Sequence, residues 1–348
     1  MDPAAASALL ETAVEGRAAI RRGEDAAVGR LEEQYAQMQE AMNWLLDEGR
    51  LDQADRFATA LVPFWMRTKR IDDGDDWFRR ALGDTVPTDP GRARAVYDHG
   101  YLVFWAGRYE LAEERLVEAR RLAERGGDPN VVALALAGSA RVALNDDPAK
   151  AVALLRKAME VTAELPDSEG RSSADHVLGV ALQMSGDLQG ARAVMQERLE
   201  HARATGNEFV VFTETANLSM VERQLGNLDR AQALSLEALR FAVANHDEMA
   251  IPWTINGLAA VTAAQGRLER AATLIGMAES LLAKAGGDWP PDEREQYEGS
   301  LAAVSTGLSA VALEEARAAG AAMDLEAAVA YATAAEPRSR RGQAVGGL

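Results

Sequence analysis

The sequence predicts an all-α fold in which helical hairpins of about 40 residues stack into a right-handed superhelix, an α-solenoid. The first observation is a repeated alanine whose successive copies are 39, 40, 40 and 40 residues apart: Ala112, Ala151, Ala191, Ala231 and Ala271. The second is that apolar residues recur at helical spacing, and no segment alternates as a strand would. A period of 40 accommodates two helices of roughly 16–18 residues and two short turns. Because one hairpin cannot bury both of its faces, neighbouring copies must stack.

A glycine precedes four of these alanines by five residues, and it predicts the turn inside each hairpin. These glycines are Gly107, Gly186, Gly226 and Gly266. Glycine adopts the left-handed conformation that ends a helix without steric cost. We therefore expect the first helix of each hairpin to end there. The alanine would then lie where the two helices cross closely.

The flanking segments predict how the repeats begin and end. Residues 1–27 are expected to form an N-terminal capping helix, and residues 28–285 the superhelix, with 51–82 as a degenerate first repeat. C-terminal capping helices are expected over 286–335, where Pro290-Pro291 starts one long helix and Asp324 caps a short final one. Residues 336–348 are polar, basic and glycine-containing, which predicts a linker.

Composition excludes several classes of protein. The 348 residues carry a formal net charge of −17 and contain no cysteine. Disulfides, thiolate metal sites and cysteine nucleophiles are therefore excluded. The negative charge argues against direct binding of nucleic acid, which needs a dense Lys/Arg surface. No apolar run reaches the roughly 18 residues of a membrane span, and the N-terminus does not resemble a secretory signal. We expect a cytoplasmic protein without membrane contact.

Catalytic patterns are absent from the sequence. Its four histidines show no metal-ligand spacing, and there is no GxSxG motif or glycine-rich phosphate loop. The carboxylate pairs Asp72-Asp73 and Asp75-Asp76 fall at a predicted helix start, where the helix dipole explains them. His99 is expected to be a packed or hydrogen-bonded residue. The sequence thus predicts no enzyme, no metal and no cofactor.

The inner surface of the stacked repeats is the candidate binding site. Counting back from the turn glycines along each first helix predicts the residues of this surface, which also include Ser139, Ser173 and Gln224. Thirteen of them are the candidate site: Arg94, Tyr97, Tyr101, Phe104, Trp105, His176, Gln183, Met184, Thr213, Met220, Arg223, Trp253 and Asn256. Aromatic and methionine side chains dominate this set, and formal charges are few. Such a surface suits a small organic molecule or a peptide. Two alternatives remain open: these residues form the core between repeats, or they form a homodimer interface.

The Gly/Ala pattern resembles the long-helix tetratricopeptide repeat. The segments "RLEEQYAQMQEAMNWLLDEG" and "INGLAAVTAAQGRLERAATLIGMAESLL" are similar to the two ends of the helical sensor region of actinobacterial LuxR-type transcriptional regulators, relatives of MalT and AfsR. In that family a STAND-type NTPase module precedes the repeats and a helix-turn-helix domain follows them. This chain has no GxxxxGK[ST] loop and no recognition helix after Leu348. ATP and DNA binding are therefore not expected of it, and we expect it to be an excised region.

The resemblance implies a non-catalytic sensor or interaction domain that binds a small molecule, a peptide or a protein partner. Binding would alter the curvature of the superhelix and so act on attached domains. The alternative is a free-standing tetratricopeptide receptor for peptides, or a scaffold for protein assembly. An all-helical enzyme is the third hypothesis, and no constellation of residues supports it.

Overall fold

The computed structural model describes residues 1–22, 24, 26–83, 87–144, 146–165, 167–285, 287, 289 and 291–334. Regular secondary structure in these residues is entirely helical, which confirms the predicted all-α class. Across the same residues, no helix is both long and apolar enough to cross a membrane. The expected linker over 336–348 and the residue Pro290 lie outside the described residues.

The chain divides into two compact units, Met1–Val211 and Phe212–Leu348. The helices of the first unit are α1 (Pro3–Arg21), α2 (Ala26–Asp47), α3 (Leu51–Arg67), α4 (Ile71–Leu82), α5 (Ala93–Trp105), α6 (Tyr109–Gly126), α7 (Pro129–Ala143), α8 (Pro148–Val161), α9 (Glu169–Met184) and α10 (Leu188–Thr205). The boundary falls within α11 (Glu208–Gln224). The second unit continues with α12 (Leu228–Ala244), α13 (Ala250–Ala264), α14 (Leu268–Lys284), α15 (Pro291–Gly307), α16 (Ala310–Ala321) and α17 (Leu325–Thr333).

The four turn glycines have the predicted left-handed conformation. Their φ angles are 74° at Gly107, 85° at Gly186, 80° at Gly226 and 76° at Gly266. All five repeat alanines are fully buried, with 0% of each accessible to solvent. The prediction of hairpins closed at glycine and packed at alanine is confirmed. In the degenerate first repeat, Lys69 occupies the equivalent turn with a φ of 58°.

A second contact within each hairpin pairs a small residue with one 16 positions later. A Cβ atom added at Gly100 would lie 3.1 Å from Cγ of Leu116, and one added at Gly179 would lie 2.9 Å from Cγ of Met195. The absence of a side chain at these glycines is thus what admits a large apolar residue from the facing helix. In the hairpin of α11 and α12 the pair is Ser219 and Ser235, whose hydroxyl oxygens lie 2.6 Å apart.

The first unit places α1 against α2 and α3, and its later hairpins stack in order, with α5 against α7 and α7 against α9. Its largest fully buried side chains include Trp65, Phe57, Phe64 and Phe78, on α3 and α4. These aromatic residues make the degenerate first repeat a well-packed part of the core.

A buried ionic cluster links α4 to α5, and here an expectation was wrong. Asp75 is not an exposed helix-start carboxylate, because it is buried and its two oxygens lie 2.8 Å from Nε2 of His99 and 2.6 Å from a guanidinium nitrogen of Arg108. His99 also stacks on Phe78 with ring centroids 5.5 Å apart. The expectation of a packed and hydrogen-bonded His99 is confirmed.

The second unit packs α13 against α12, α14 and α15, and packs α16 against α14. Ile251, Ile255, Leu274 and Ile275 belong to its apolar core. The closing segment is not one long helix, because α15 ends at Gly307 and the side chain of Ser309 caps a separate helix, α16. Asp324 caps α17 as expected, accepting a hydrogen bond of 2.8 Å from the amide of Ala327.

Candidate functional site

The first unit contains a cavity of about 540 Å³ lined by α1, α3, α5, α7, α9, α10 and the start of α11. Three of the thirteen candidate-site residues line it, Tyr97, Tyr101 and His176, as does Ser173 of the predicted inner surface. Its volume is within the range of pockets that hold small organic molecules or short peptide segments. We call it the tyrosine–arginine cavity.

One carboxylate in this cavity gathers three arginines from two different helices. Glu169, at the start of α9, accepts hydrogen bonds of 2.9 and 3.1 Å from Arg94. It also accepts a hydrogen bond of 3.5 Å from Arg17 and forms an ion pair of 2.8 Å with Arg21, both on α1. Burial alone would raise the pKa of Glu169, but the arginines, Arg94 foremost, lower it to about 2. Glu169 is therefore ionised at neutral pH.

Arg94 does not line the cavity, but it donates hydrogen bonds to two carboxylates that do, Asp98 and Glu169. Its Nε donates to Asp98, one turn along α5, at 2.9 Å while its terminal nitrogens bind Glu169. Both neighbours keep the guanidinium charged, because their attraction outweighs the cost of burial and raises the pKa of Arg94. Arg94 thus fixes α5 to α9 beside the cavity.

The cavity is positively charged although the protein is acidic. Its lining carries six arginines and two carboxylates, an excess of four positive charges, in a chain whose formal net charge is −17. The arginines are Arg17, Arg21, Arg22, Arg67, Arg141 and Arg198. The expectation that few formal charges face the inner surface was wrong for this unit. A concave surface with an excess of one sign concentrates the opposite charge.

Aromatic side chains form a ladder along one face of α5, starting in the cavity. Tyr97 stacks on Tyr101 with ring centroids 6.0 Å apart, and Tyr101 meets Trp105 edge-on at 6.2 Å. Tyr97 is buried, Tyr101 is half-buried and Trp105 is 48% exposed. Burial also raises the pKa of Tyr97, so its hydroxyl stays neutral. The ladder therefore leads from the interior of the cavity to the surface.

The other predicted residues of the first unit lie near the end of α5 or of α9. Phe104 is half-buried and contacts Trp105 at 5.5 Å between ring centroids. Gln183 is half-buried, and Met184 is 54% exposed at the last position of α9. None of these three lines the tyrosine–arginine cavity.

The remaining five predicted residues belong to the second unit and form a separate set. Thr213, Met220, Arg223 and Trp253 are half-buried. Asn256 is fully buried, and its side-chain nitrogen donates to Glu293 of α15 at 2.9 Å. The expectation that Asn256 lines an open groove was wrong, because α15 covers that part of α13.

Counting along the first helices missed most of the charged lining. Arg198 lies on α10, the second helix of its hairpin, and Arg17 and Arg21 lie on α1, which was expected only to cap the repeats. A signal was available in "GRAAIRR", where Arg17 and Arg21 are four residues apart and so share one helix face.

No family model matches the chain. Among curated proteins it is similar to the candidate HTH-type transcriptional regulators Rv0890c of Mycobacterium tuberculosis and Mb0914c of Mycobacterium bovis, at 26% identity over 209 residues in each case. The match covers 58% of this chain and 24% of each relative. The chain thus spans about a quarter of the length of the curated relatives it matches.

Solved structures with a similar fold are helical-repeat proteins. A Rap protein complexed with Competence and Sporulation Factor matches with a TM-score of 0.57 at 14% identity, over 89% of this chain and 85% of that one. A STAND protein with a tetratricopeptide repeat sensor from Pyrococcus horikoshii matches with a TM-score of 0.55 at 14% identity, over 87% of this chain and 49% of that one. The quorum sensor NprR from B. thuringiensis matches with a TM-score of 0.54 at 15% identity, over 83% of this chain and 82% of that one. These likenesses confirm the fold, a solenoid of tetratricopeptide-like hairpins.

Proposed function

We propose that this chain is the non-catalytic sensor region of a LuxR-type transcriptional regulator, and that its ligand, a small molecule or a peptide, binds in the tyrosine–arginine cavity. The observation that carries the proposal is the cavity itself. Aromatic side chains and six arginines from seven helices line a volume suited to an organic ligand. The curated relatives are described as HTH-type regulators, and a Rap protein of similar fold was solved with a bound factor.

The arrangement of helices gives binding a route to attached domains. The cavity draws side chains from α1, α3, α5, α7, α9 and α10, so a bound ligand contacts several hairpins at once. Each hairpin packs mainly on its neighbours, and a small change at each contact adds to the next. Ligand binding would thus alter the curvature of the repeats and bias a DNA-binding domain attached to them.

A binding screen tests the proposal. Short peptides and small metabolites are screened by thermal shift against the wild-type chain, and hits are measured by isothermal titration. We expect Tyr101→Ala to weaken a true cavity ligand at least tenfold, because the ring lines the cavity. Tyr109→Ala is the matched control, since Tyr109 is an exposed tyrosine on the next helix that does not line the cavity. Equal loss in both variants, or no loss in Tyr101→Ala, contradicts the proposed site.

The regulatory part of the proposal has its own test. The DNA on both sides of the codons for Met1 and Leu348 is sequenced. An open reading frame that continues into a helix-turn-helix domain supports a LuxR-type regulator. Deleting that gene should then change transcription of target promoters, and Tyr101→Ala should abolish the response to the ligand. A ligand that binds without any effect on transcription would favour the scaffold alternative.

A further inference from the structure

The carboxylates of the tyrosine–arginine cavity are already neutralised by arginines. Glu169 binds Arg94, Arg17 and Arg21, and Asp98 binds Arg94. These pairs consume both negative charges of the lining. The excess positive charge of the cavity must therefore come from arginines outside this network.

Arg141 is the clearest of these. It projects from the last turn of α7, is half-buried and lines the cavity. Among the described residues, its guanidinium group has no hydrogen-bond or ion-pair partner. An arginine without a counter-charge at the wall of a cavity can form charge-assisted hydrogen bonds with an anion bound there.

Arg198 supplies a second cation on another wall of the cavity. It reaches from α10, and one of its terminal nitrogens donates to the backbone carbonyl of Ser172, and to the hydroxyl of Ser172 at 2.9 Å. These bonds hold the guanidinium in place at α9, where its charge also acts on the carboxyl of Asp175. The positive charge of Arg198 adds to the excess that attracts an anion into the cavity.

We infer that the cavity binds an amphiphilic organic anion, whose carboxylate or similar group is recognised by Arg141 and attracted by the charge of Arg198. The apolar part of this ligand would contact Tyr101 and the side chains of Val62, Pro63 and Leu134, which line the same cavity. Arginine forks match planar two-oxygen anions, and such charge-assisted hydrogen bonds are stronger than neutral ones. The inference rests on the proposed function only in placing the ligand in this cavity.

A pair of dyes that differ only in charge tests the inference. Anilinonaphthalene sulfonate is an aromatic anion, and N-phenylnaphthylamine is the same ring system without the anionic group. Fluorescence titration of the wild-type chain should give binding of the anionic dye at least tenfold tighter than that of the neutral dye. Equal affinity for the two dyes, or no binding of the anionic dye, overturns the inference.

Single substitutions locate the effect. Arg141→Gln should weaken the anionic dye about tenfold and leave the neutral dye unchanged, because only the charge-assisted contact is lost. Arg56→Gln is the matched control: Arg56 is an exposed arginine on α3 of the same unit and does not line the cavity. An unchanged affinity in Arg141→Gln, or an equal loss in Arg56→Gln, overturns the inference.

For Arg198→Gln, dye affinity and melting temperature are both measured, because Arg198 also donates a hydrogen bond to Ser172 and its loss can destabilise the fold. Arg198→Lys is the second variant here, since it keeps the positive charge and loses the planar fork. We expect the affinity for the anionic dye to fall more in Arg198→Gln than in Arg198→Lys. Equal affinity in wild type, Lys and Gln would exclude Arg198 from the anion site.

Competition separates the two sources of such an anion. One arm uses an apolar pentapeptide with a free or an amidated C-terminus, and the other uses phenylacetate against phenylacetamide. Displacement of the anionic dye by the free acids and not by the amides supports the inference, and the stronger arm identifies peptide or small acid. Displacement by amides as readily as by acids contradicts it. Dye results as expected, with no ligand-dependent transcription, would refute the proposed function and leave the anion site standing.

Discussion

The guanidinium of Arg94 binds the carboxylate of Glu169 through two parallel hydrogen bonds of 2.9 and 3.1 Å, although 75 residues separate them. This contact fastens α5 to α9 at the wall of the tyrosine–arginine cavity. Arg94 also holds Asp98, and Arg17 and Arg21 of α1 share the same glutamate. Glu169 is therefore the point at which three helices of the first unit meet.

Removing the charge at Glu169 should destabilise the first unit. Glu169→Gln leaves Arg94, Arg17 and Arg21 without their shared anion, and we expect a loss of about 2–3 kcal/mol in the free energy of unfolding, measured by urea denaturation. Glu160→Gln is the control, because Glu160 is exposed on α8 and should change stability by less than about 0.5 kcal/mol. Similar values for the two variants would show that the network contributes little.

The same carboxylate should make stability depend on pH in acid. Its pKa in the folded protein is about 2, below its ordinary value, so the folded state binds this proton less readily than the unfolded state. The stabilisation is complete above the unfolded pKa of about 4.3 and is lost as pH falls toward 2. The difference in melting temperature between wild type and Glu169→Gln should shrink over that range. A constant difference from pH 6 to pH 2.5 would contradict the assignment.

His99 should give a second pH effect, at higher pH. Burial lowers its pKa below the ordinary value, and this outweighs the opposing hydrogen bond to Asp75. The unfolded chain takes up this proton near pH 6.5 and the folded chain resists it, so stability is lost as pH falls below about 6.5. We expect His99→Gln, which can still donate to Asp75, to have a flatter melting profile between pH 7 and pH 5. Identical profiles would mean that His99 titrates normally in the folded state.

Two glycines of the second unit should be intolerant of any side chain. A Cβ added at Gly276 of α14 would collide with the carbonyl oxygen of Arg317, and one at Gly320 of α16 with that of Thr273. We expect Gly276→Ala to cost at least about 2 kcal/mol in chemical denaturation, because backbone must move. Gly299→Ala is the control, since a Cβ there meets nothing within 4 Å. In a helix it should stabilise by about 0.5–1 kcal/mol.

The Ser219–Ser235 pair should be exchangeable for the pair used in other hairpins. Ser235→Leu alone places a large side chain against Ser219 and should cost about 1–3 kcal/mol. Adding Ser219→Gly recreates the arrangement of Gly100 and Leu116, and should recover most of that loss. A double-mutant cycle by denaturation measures the coupling. Strictly additive effects would show that the two positions do not share a contact.

Short-range regularity explains why the repeats could be predicted. The conformation of Gly107 and the burial of Ala112 are set within one hairpin, and both recur at each repeat. The same periodicity brought Tyr97, Tyr101 and His176 to one surface, and all three line the cavity. Local spacing was sufficient wherever a position depends only on its own hairpin.

Contacts between segments that are far apart in the sequence cannot be predicted from the spacing within a repeat. Arg17 meets Glu169 across 152 residues, and no spacing within a repeat encodes that encounter. Asn256 was expected at an open surface because its position in α13 is that of a lining residue, yet α15 arrives from outside the repeats and covers it. Arg198 lies on α10, a second helix, and the spacing along first helices does not predict which second-helix residues line the cavity.

The reach of α1 has a consequence for biosynthesis. During translation α1 leaves the ribosome well before α9 exists, because its arginines precede Glu169 by up to 152 positions. Until α9 emerges, Arg17 and Arg21 lack this carboxylate, so the wall they complete is among the last parts of the unit to form. A nascent chain stalled before α9 should therefore hold α1 against α2 and α3 with the guanidinium groups of Arg17 and Arg21 still lacking this partner.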